Sequence, residues 1–145
     1  MTKTVDMDDK TYFSTKAEMK VMYELTKNKF HVFNQVSGKA PFDLVAYKNN
    51  KLYRVSVKST VVEAKESGGY PIQIKKVRPN KTKNTIVNFK STDCDVLAVY
   101  IDKLDAVCWI PAAKIIATCM LTIATSKKEN VKDQLILDDL TLDKI

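Results

Sequence analysis

Apolar residues in this chain recur first at helical spacing and then at alternating spacing, and the change of period marks out its elements. Val21, Met22 and Leu25 predict a helix over residues 15–28, opened by Thr15 with Glu18 three residues later as a capping box. Glu18 lies on the same stripe, since 18, 21, 22 and 25 are neighbours on one helix face. A carboxylate on the core side of a helix is costly unless it caps, pairs or binds a cation, so a capping role and a functional one both stay open. Residues 30–36 alternate as a strand that Ser37-Gly38-Lys39-Ala40-Pro41 ends. Residues 43–47 and 52–58 are two more strands, joined by the turn Lys48-Asn49-Asn50-Lys51. A turn centred between Asn49 and Asn50 sets position 43 opposite 56 and 47 opposite 52. Asp43, Val45, Tyr47, Leu52, Arg54, Ser56 and Lys58 then share one face.

Residues 63–85 are polar and basic, hold Gly68-Gly69 and two prolines, and read as a long irregular loop. Strands are expected again over 86–89, 96–101 and 106–110, the last two as a hairpin, and Pro111 stands at a favoured first position of a helix. The pattern weakens over 123–145. With no repeat and no internal boundary, residues 1–145 read as a single α/β domain.

Composition narrows the chemistry. Three glycines, Gly38, Gly68 and Gly69, cannot write a G-x-x-x-x-G-K loop or a G-x-G-x-x-G fingerprint. A single histidine, His31, excludes H-E-x-x-H zinc sites and paired-histidine phosphoryl chemistry. Cys94, Cys108 and Cys119 lack C-x-x-C spacing, which suits a reduced compartment without structural zinc. The formal net charge is +7, unevenly spread. Lys65, Lys75, Lys76, Arg78, Lys81, Lys83 and Lys90 face one acid, Glu66, within residues 65–90, whereas residues 129–145 are acidic. Such a stripe attracts polyanions, nucleic acid above all, or is ordinary solvated surface. Its core, from Lys75 to Lys83, has no aromatic residue, which favours phosphate contact over base stacking. No secretory signal is visible, and the most apolar run, 110–125, carries Lys114 and is too short to span a bilayer. The expectation is a soluble cytoplasmic protein without membrane contact.

One constellation carries chemistry: Glu18 on the helix, Asp43 at a strand start and Lys58 at the end of the next strand. A divalent metal that cuts a phosphodiester needs hard oxygen ligands, for which Asp43 and Glu18 are candidates, with the Val57 backbone carbonyl as a third. A lysine beside it can orient or deprotonate the attacking water and offset charge on the phosphorane-like oxygens.

Glu18, then Pro41-Phe42-Asp43, a short hairpin and Ser56-Val57-Lys58 together resemble the PD-(D/E)XK nuclease superfamily. Arg54-Val55-Ser56-Val57-Lys58-Ser59-Thr60 is similar to its second motif strand. Cys94-Asp95-Val96-Leu97-Ala98-Val99-Tyr100 and Cys108-Trp109-Ile110-Pro111 are similar to the later strand pair of its small single-domain members. Those members include intron-encoded homing endonucleases and Holliday-junction resolvases. The resemblance spans residues 15–115 and implies a restriction-endonuclease-like α/β fold, a mixed sheet flanked by helices. It also implies a Mg²⁺-dependent DNA endonuclease, with Mn²⁺ able to substitute, acting on double-stranded DNA as a homodimer or higher oligomer. Glu18, Asp43, Ser56 and Lys58 are its implied catalytic set, and Lys75, Lys76, Arg78, Lys81 and Lys83 are the candidate DNA contacts.

The chain departs from the family pattern at Ser56, where an acid is usual. Some homing members carry a neutral glutamine there, which favours the homing reading over a resolvase. A catalytically inactive DNA-binding protein on a nuclease scaffold is the alternative. Glu63-Ala64-Lys65 spells the motif with its acid, yet stands five or more residues past the position facing Asp43, too far along an extended strand to reach the site.

Overall fold

The computed structural model describes residues 7–66, 68–78, 82–83, 85–129 and 131–145. Its centre is a five-stranded mixed sheet. In chain order the strands of the molecule are β1 (His31–Asn34), β2 (Leu44–Lys48), β3 (Lys51–Thr60), β4 (Gly69–Gln73), β5 (Lys76–Arg78), β6 (Thr85–Val87), β7 (Val96–Ile101), β8 (Ala106–Pro111), β9 (Met120–Ala124) and β10 (Leu135–Ile136). The central sheet runs β1-β2-β3-β7-β8, with β3 and β7 parallel and the other neighbours antiparallel.

The β2–β3 hairpin has the expected register, Tyr47 opposite Leu52. Asn49 and Asn50 both take positive φ, 53° and 61°, the left-handed pair that a tight two-residue turn requires. The β7–β8 hairpin also falls where the alternation predicts, closed by a 3₁₀ turn over Asp102–Leu104.

The only α-helix among the described residues, α1 (Met7–Lys27), lies across one face of this sheet. It buries Ala17, Val21 and Leu25. Val21 and Leu25 pack on Leu44, Ala46, Val55, Val96, Ala98 and Trp109. Trp109 is thus a core residue, and Cys94 and Cys108 are buried free thiols. The opposite face, built from Leu97, Val99, Ile101, Cys108 and Ile110, is covered by a second sheet of order β10-β9-β4, through Ile72, Leu121 and Ile123.

Three local expectations change. α1 begins at Met7, two turns before Thr15, and Asp9 in its first turn complements the helix dipole. The stretch 63–85 is not irregular: it holds β4, which pairs with β9, and β5, which pairs with β6 in a short ribbon. Pro111 ends β8 instead of opening a helix, and a single 3₁₀ turn over Ala112–Lys114 leads towards β9. Pairing across the sheet overrides the local proline signal, because Pro111 keeps its place opposite Val96. A side chain at Gly69 would meet Thr122 at 2.5 Å, so this glycine lets β4 close on β9. No helix among the described residues is long and apolar enough to cross a membrane.

Candidate functional site

β2 stays with β3 only as far as Leu44 opposite Val55, while β3 continues to Thr60 beside β7. Past Val55 one edge of β3 is therefore open, and Asp43 fills it. The Asp43 N–H donates to the Val55 carbonyl at 2.9 Å. Its Oδ2 accepts the Val57 N–H at 2.6 Å. A charged acceptor makes this bond short and strong, which fixes the direction of the carboxylate. A strand residue turns its N–H and C=O towards the same neighbour, so the Val57 carbonyl leaves β3 on the Asp43 side.

α1 brings the second carboxylate. Glu18 stands with Ser14 and Ala17 at a cavity of about 320 Å³ whose remaining walls are Asp43, Val57, Lys58 and Ser59. Because α1 starts at Met7, Thr15 lies inside the helix, where no free N–H groups need a cap. The capping box is absent, and capping does not account for Glu18. Partial desolvation, and then the charge of Asp43, push the Glu18 carboxyl above the usual carboxylate range. Burial, and then the ammonium of Lys76, draw Lys58 below the ordinary lysine range, with Asp43 acting in the opposite sense.

Neither Glu18, Asp43 nor Lys58 makes an ion pair among the described residues. Two other acids are already engaged: Asp95 accepts three hydrogen bonds from Arg54, at 2.8, 3.0 and 3.2 Å, and Asp102 holds Lys16 at 2.6 Å. No group of three or more His, Cys, Asp or Glu suited to a metal occurs among the described residues. The donor set here is two mutually repelling carboxylates and a backbone carbonyl. Hard oxygens with a net negative charge fit a hard divalent cation.

Ser56 is buried, and its hydroxyl donates to the Pro41 carbonyl at 3.5 Å. It lines a neighbouring cavity of about 140 Å³ together with Lys39, Pro41, Lys58 and Lys76. The fold thus gathers Glu18, Asp43, Val57 and Lys58 around one space and sets Ser56 around the next, with Lys58 common to both. Glu63-Ala64-Lys65 follows the end of β3 and lines neither. Of the basic stripe, Lys75 and Lys76 stand where β5 begins, Arg78 closes β5, and Lys83 precedes β6. Lys81 lies outside the described residues.

Two contributors escaped sequence reasoning. Gln35 braces the turn that delivers Asp43: its Oε1 accepts the Ala40 N–H at 2.9 Å and its Nε2 donates to the Phe42 carbonyl at 3.2 Å. A polar side chain just ahead of a proline-bearing turn is the local cue for such a brace. Lys39 has no local cue, since only the folded turn carries it to the cavity.

An α/β protein with paired carboxylates and a half-buried lysine at the diverging end of two strands defines the class. The chain belongs to the PD-(D/E)XK endonuclease family, which its sequence matches over residues 7–140. The fold is similar to that of a bacterial homing endonuclease, with a TM-score of 0.70 at 17% identity, covering 85% of this chain and 84% of that one. No curated protein matches the chain in sequence. Proteins of this nuclease family generally use divalent metals, in keeping with the oxygen donors found here.

Proposed function

We propose that this endonuclease-family chain is a Mg²⁺-dependent enzyme that hydrolyses phosphodiester bonds of double-stranded DNA at specific sites, in the manner of a homing endonuclease. The observation that carries the reading is the convergence of Glu18, Asp43, Val57 and Lys58 on one cavity. Asp43, Glu18 and the Val57 carbonyl would hold the metal, and Mn²⁺ could take its place. When bound, such an ion polarises a phosphoryl oxygen and acidifies a coordinated water.

The chain's own residues do the rest. Asp43, tied to the Val57 N–H, is held with its carboxylate at the cavity. Hydrolysis joins a water oxygen to phosphorus and breaks a bond from phosphorus to a sugar oxygen. Lys58 donates hydrogen bonds where negative charge gathers in that transition state, or to the attacking water. Partial burial strengthens its effect by excluding solvent. Lys75, Lys76, Arg78, Lys81 and Lys83 give the DNA backbone its cationic track, with Ser56 beside Lys58. One site of this size cuts one strand, so two copies or more would act together on a duplex. The fold likeness to a homing endonuclease and the neutral residue at 56 support the homing reading over a resolvase.

Incubating the protein with plasmid, four-way-junction and single-stranded DNAs, with and without Mg²⁺, tests the proposal. Metal-dependent scission of duplex DNA is expected, and preference for the junction would favour a resolvase. Among the described residues no third carboxylate joins Glu18 and Asp43, and Ser56 stands where an acid is usual, which supports a second reading, an inactive DNA-binding scaffold. Calorimetry separates the two, since only the enzyme should bind Mg²⁺ or Mn²⁺ at this site.

A further inference from the structure

The cavity beside the carboxylates shares Lys58 with the nuclease motif and adds two lysines that the motif does not use. Lys39, Lys58 and Lys76 converge on its roughly 140 Å³. None of the three makes an ion pair among the described residues. One acid, Asp93, also lines it, but the Asp93 carboxylate accepts the Lys90 N–H at 3.1 Å and so closes its own turn. Three ammoniums against one carboxylate leave the cavity with an excess of positive charge, and the space between the lysines is where an anion lowers the energy most. Lysine is a usual phosphate binder, acting as a mobile point charge. At about 30 Å³ per water, the cavity has room for a tetrahedral oxyanion and a few waters.

Its position adds the second argument. Lys58 is common to this cavity and to the one holding Glu18 and Asp43, so an anion here sits one side chain away from the proposed reaction centre. Lys76 is anchored there, because its ammonium donates to the Pro41 carbonyl at 3.2 Å. It is also the first residue of β5, so the basic ribbon rises directly from this spot.

We propose that the Lys39–Lys58–Lys76 cavity is a phosphate subsite that seats the DNA phosphate adjoining the one to be cut. Lys39 and Lys76 are positioning residues, which align the strand so that the scissile phosphate meets Asp43, Glu18 and Lys58. This rests on the nuclease reading for the identity of the ligand, whereas the anion site itself can be measured without any cleavage.

Inorganic phosphate is therefore the first probe, titrated into the metal-free protein while amide shifts are followed by NMR. Saturable shifts are expected around residues 39, 56, 58 and 76. Lys39→Gln/Lys76→Gln should weaken the apparent affinity by about tenfold or more, whereas Asp43→Asn should retain it. Lys76→Arg, which keeps the charge, should restore most of the loss, and Lys39→Gln alone guards against a folding defect because Lys39 is exposed. Plasmid cleavage in Mg²⁺ is the second arm. The double variant should raise KM about tenfold and change kcat far less, the mark of lost ground-state positioning. Phosphate shifts that map elsewhere, or that survive the double substitution, would overturn the subsite. A wild-type protein that binds phosphate here but cuts no DNA overturns the nuclease reading and leaves an anion site of another purpose.

Discussion

Two cavities of similar size lie in different parts of the molecule and differ in almost everything else. One, of about 370 Å³, runs between the second sheet and the C-terminal segment, with Ile115, Leu121 and Leu135 among its walls and Lys114, Lys128 and Lys132 around it. The other, of about 320 Å³, has Glu18, Asp43, Val57 and Lys58. By shape and apolar lining alone, the first is the better pocket for a small molecule. The second holds two carboxylates that repel each other and a lysine drawn out of water, an arrangement that lowers stability in the absence of a ligand. Groups kept in such surroundings mark a functional site more surely than volume does. The charged cavity lies where β3 outruns β2 and leaves backbone groups open, whereas the apolar one lies between the second sheet, the segment 114–117 and the C-terminal segment.

The sharpest way to break this contrast is to remove the charges. Asp43→Ala and Lys58→Ala should each lower cleavage at least about a hundredfold. Asp43→Asn should do the same while keeping an acceptor for the Val57 N–H, so its melting curve should match that of the unchanged protein. Full cleavage by either residue's variants in Mg²⁺ would dissolve the proposed site. The opposite result is expected from the apolar cavity. Leu135→Ala should cost about 1–2 kcal/mol of stability, read by denaturant melts, and leave kcat/KM within about twofold.

Glu18 sharpens the comparison through pH. Its carboxyl is raised in the folded protein, so its contribution to stability is present at low pH and is lost as pH rises through its folded value. At neutral pH without metal the ionised Glu18 therefore weakens the fold. Glu18→Gln should raise Tm by about 2 °C at pH 7, a small gain because the group is largely solvated, and should abolish cleavage. The gain should vanish near pH 3, where Glu18 is protonated in both states, and should reverse in saturating Mg²⁺, which stabilises only the protein that binds it. A Glu18→Gln protein that melts lower than the original at pH 7 would point to a structural role instead.

The smallest effect belongs to the ribbon. Replacing Lys75 and Lys83 with alanine should reduce the log–log salt slope of duplex binding by up to about two, at about 0.9 per phosphate contact. An unchanged slope would make them ordinary solvated surface.

Much of the fold was legible in local pattern. Asn49-Asn50 specified a tight turn, and the alternation on either side set the register that carries Asp43 to its place on β3. The helix stripe and the β7–β8 hairpin were equally readable, because hairpins and helices are closed by neighbours in sequence. Glu18 could be singled out as an acid on an apolar stripe, but its capping role was ruled out only once α1 was seen to begin at Met7.

What the linear text did not disclose depends on distant pairing. β4 reads as loop because Gly69 and Pro71 weaken its strand signal. It becomes a strand by pairing with β9, some fifty residues away in the chain, where the close approach needs that glycine. Pro111 reads as a helix start until β7 claims it. The same holds for the lysines: in sequence, Lys58 belongs to the motif, Lys76 to the basic stripe and Lys39 to neither, and nothing in the linear text sets them around one space. The chain alone determined which residues carry charge and which short segments bend or extend. Which charges would meet, unpaired and partly out of water, was decided only when sheet pairing joined distant segments, since that free energy comes from burial shared between residues far apart in sequence.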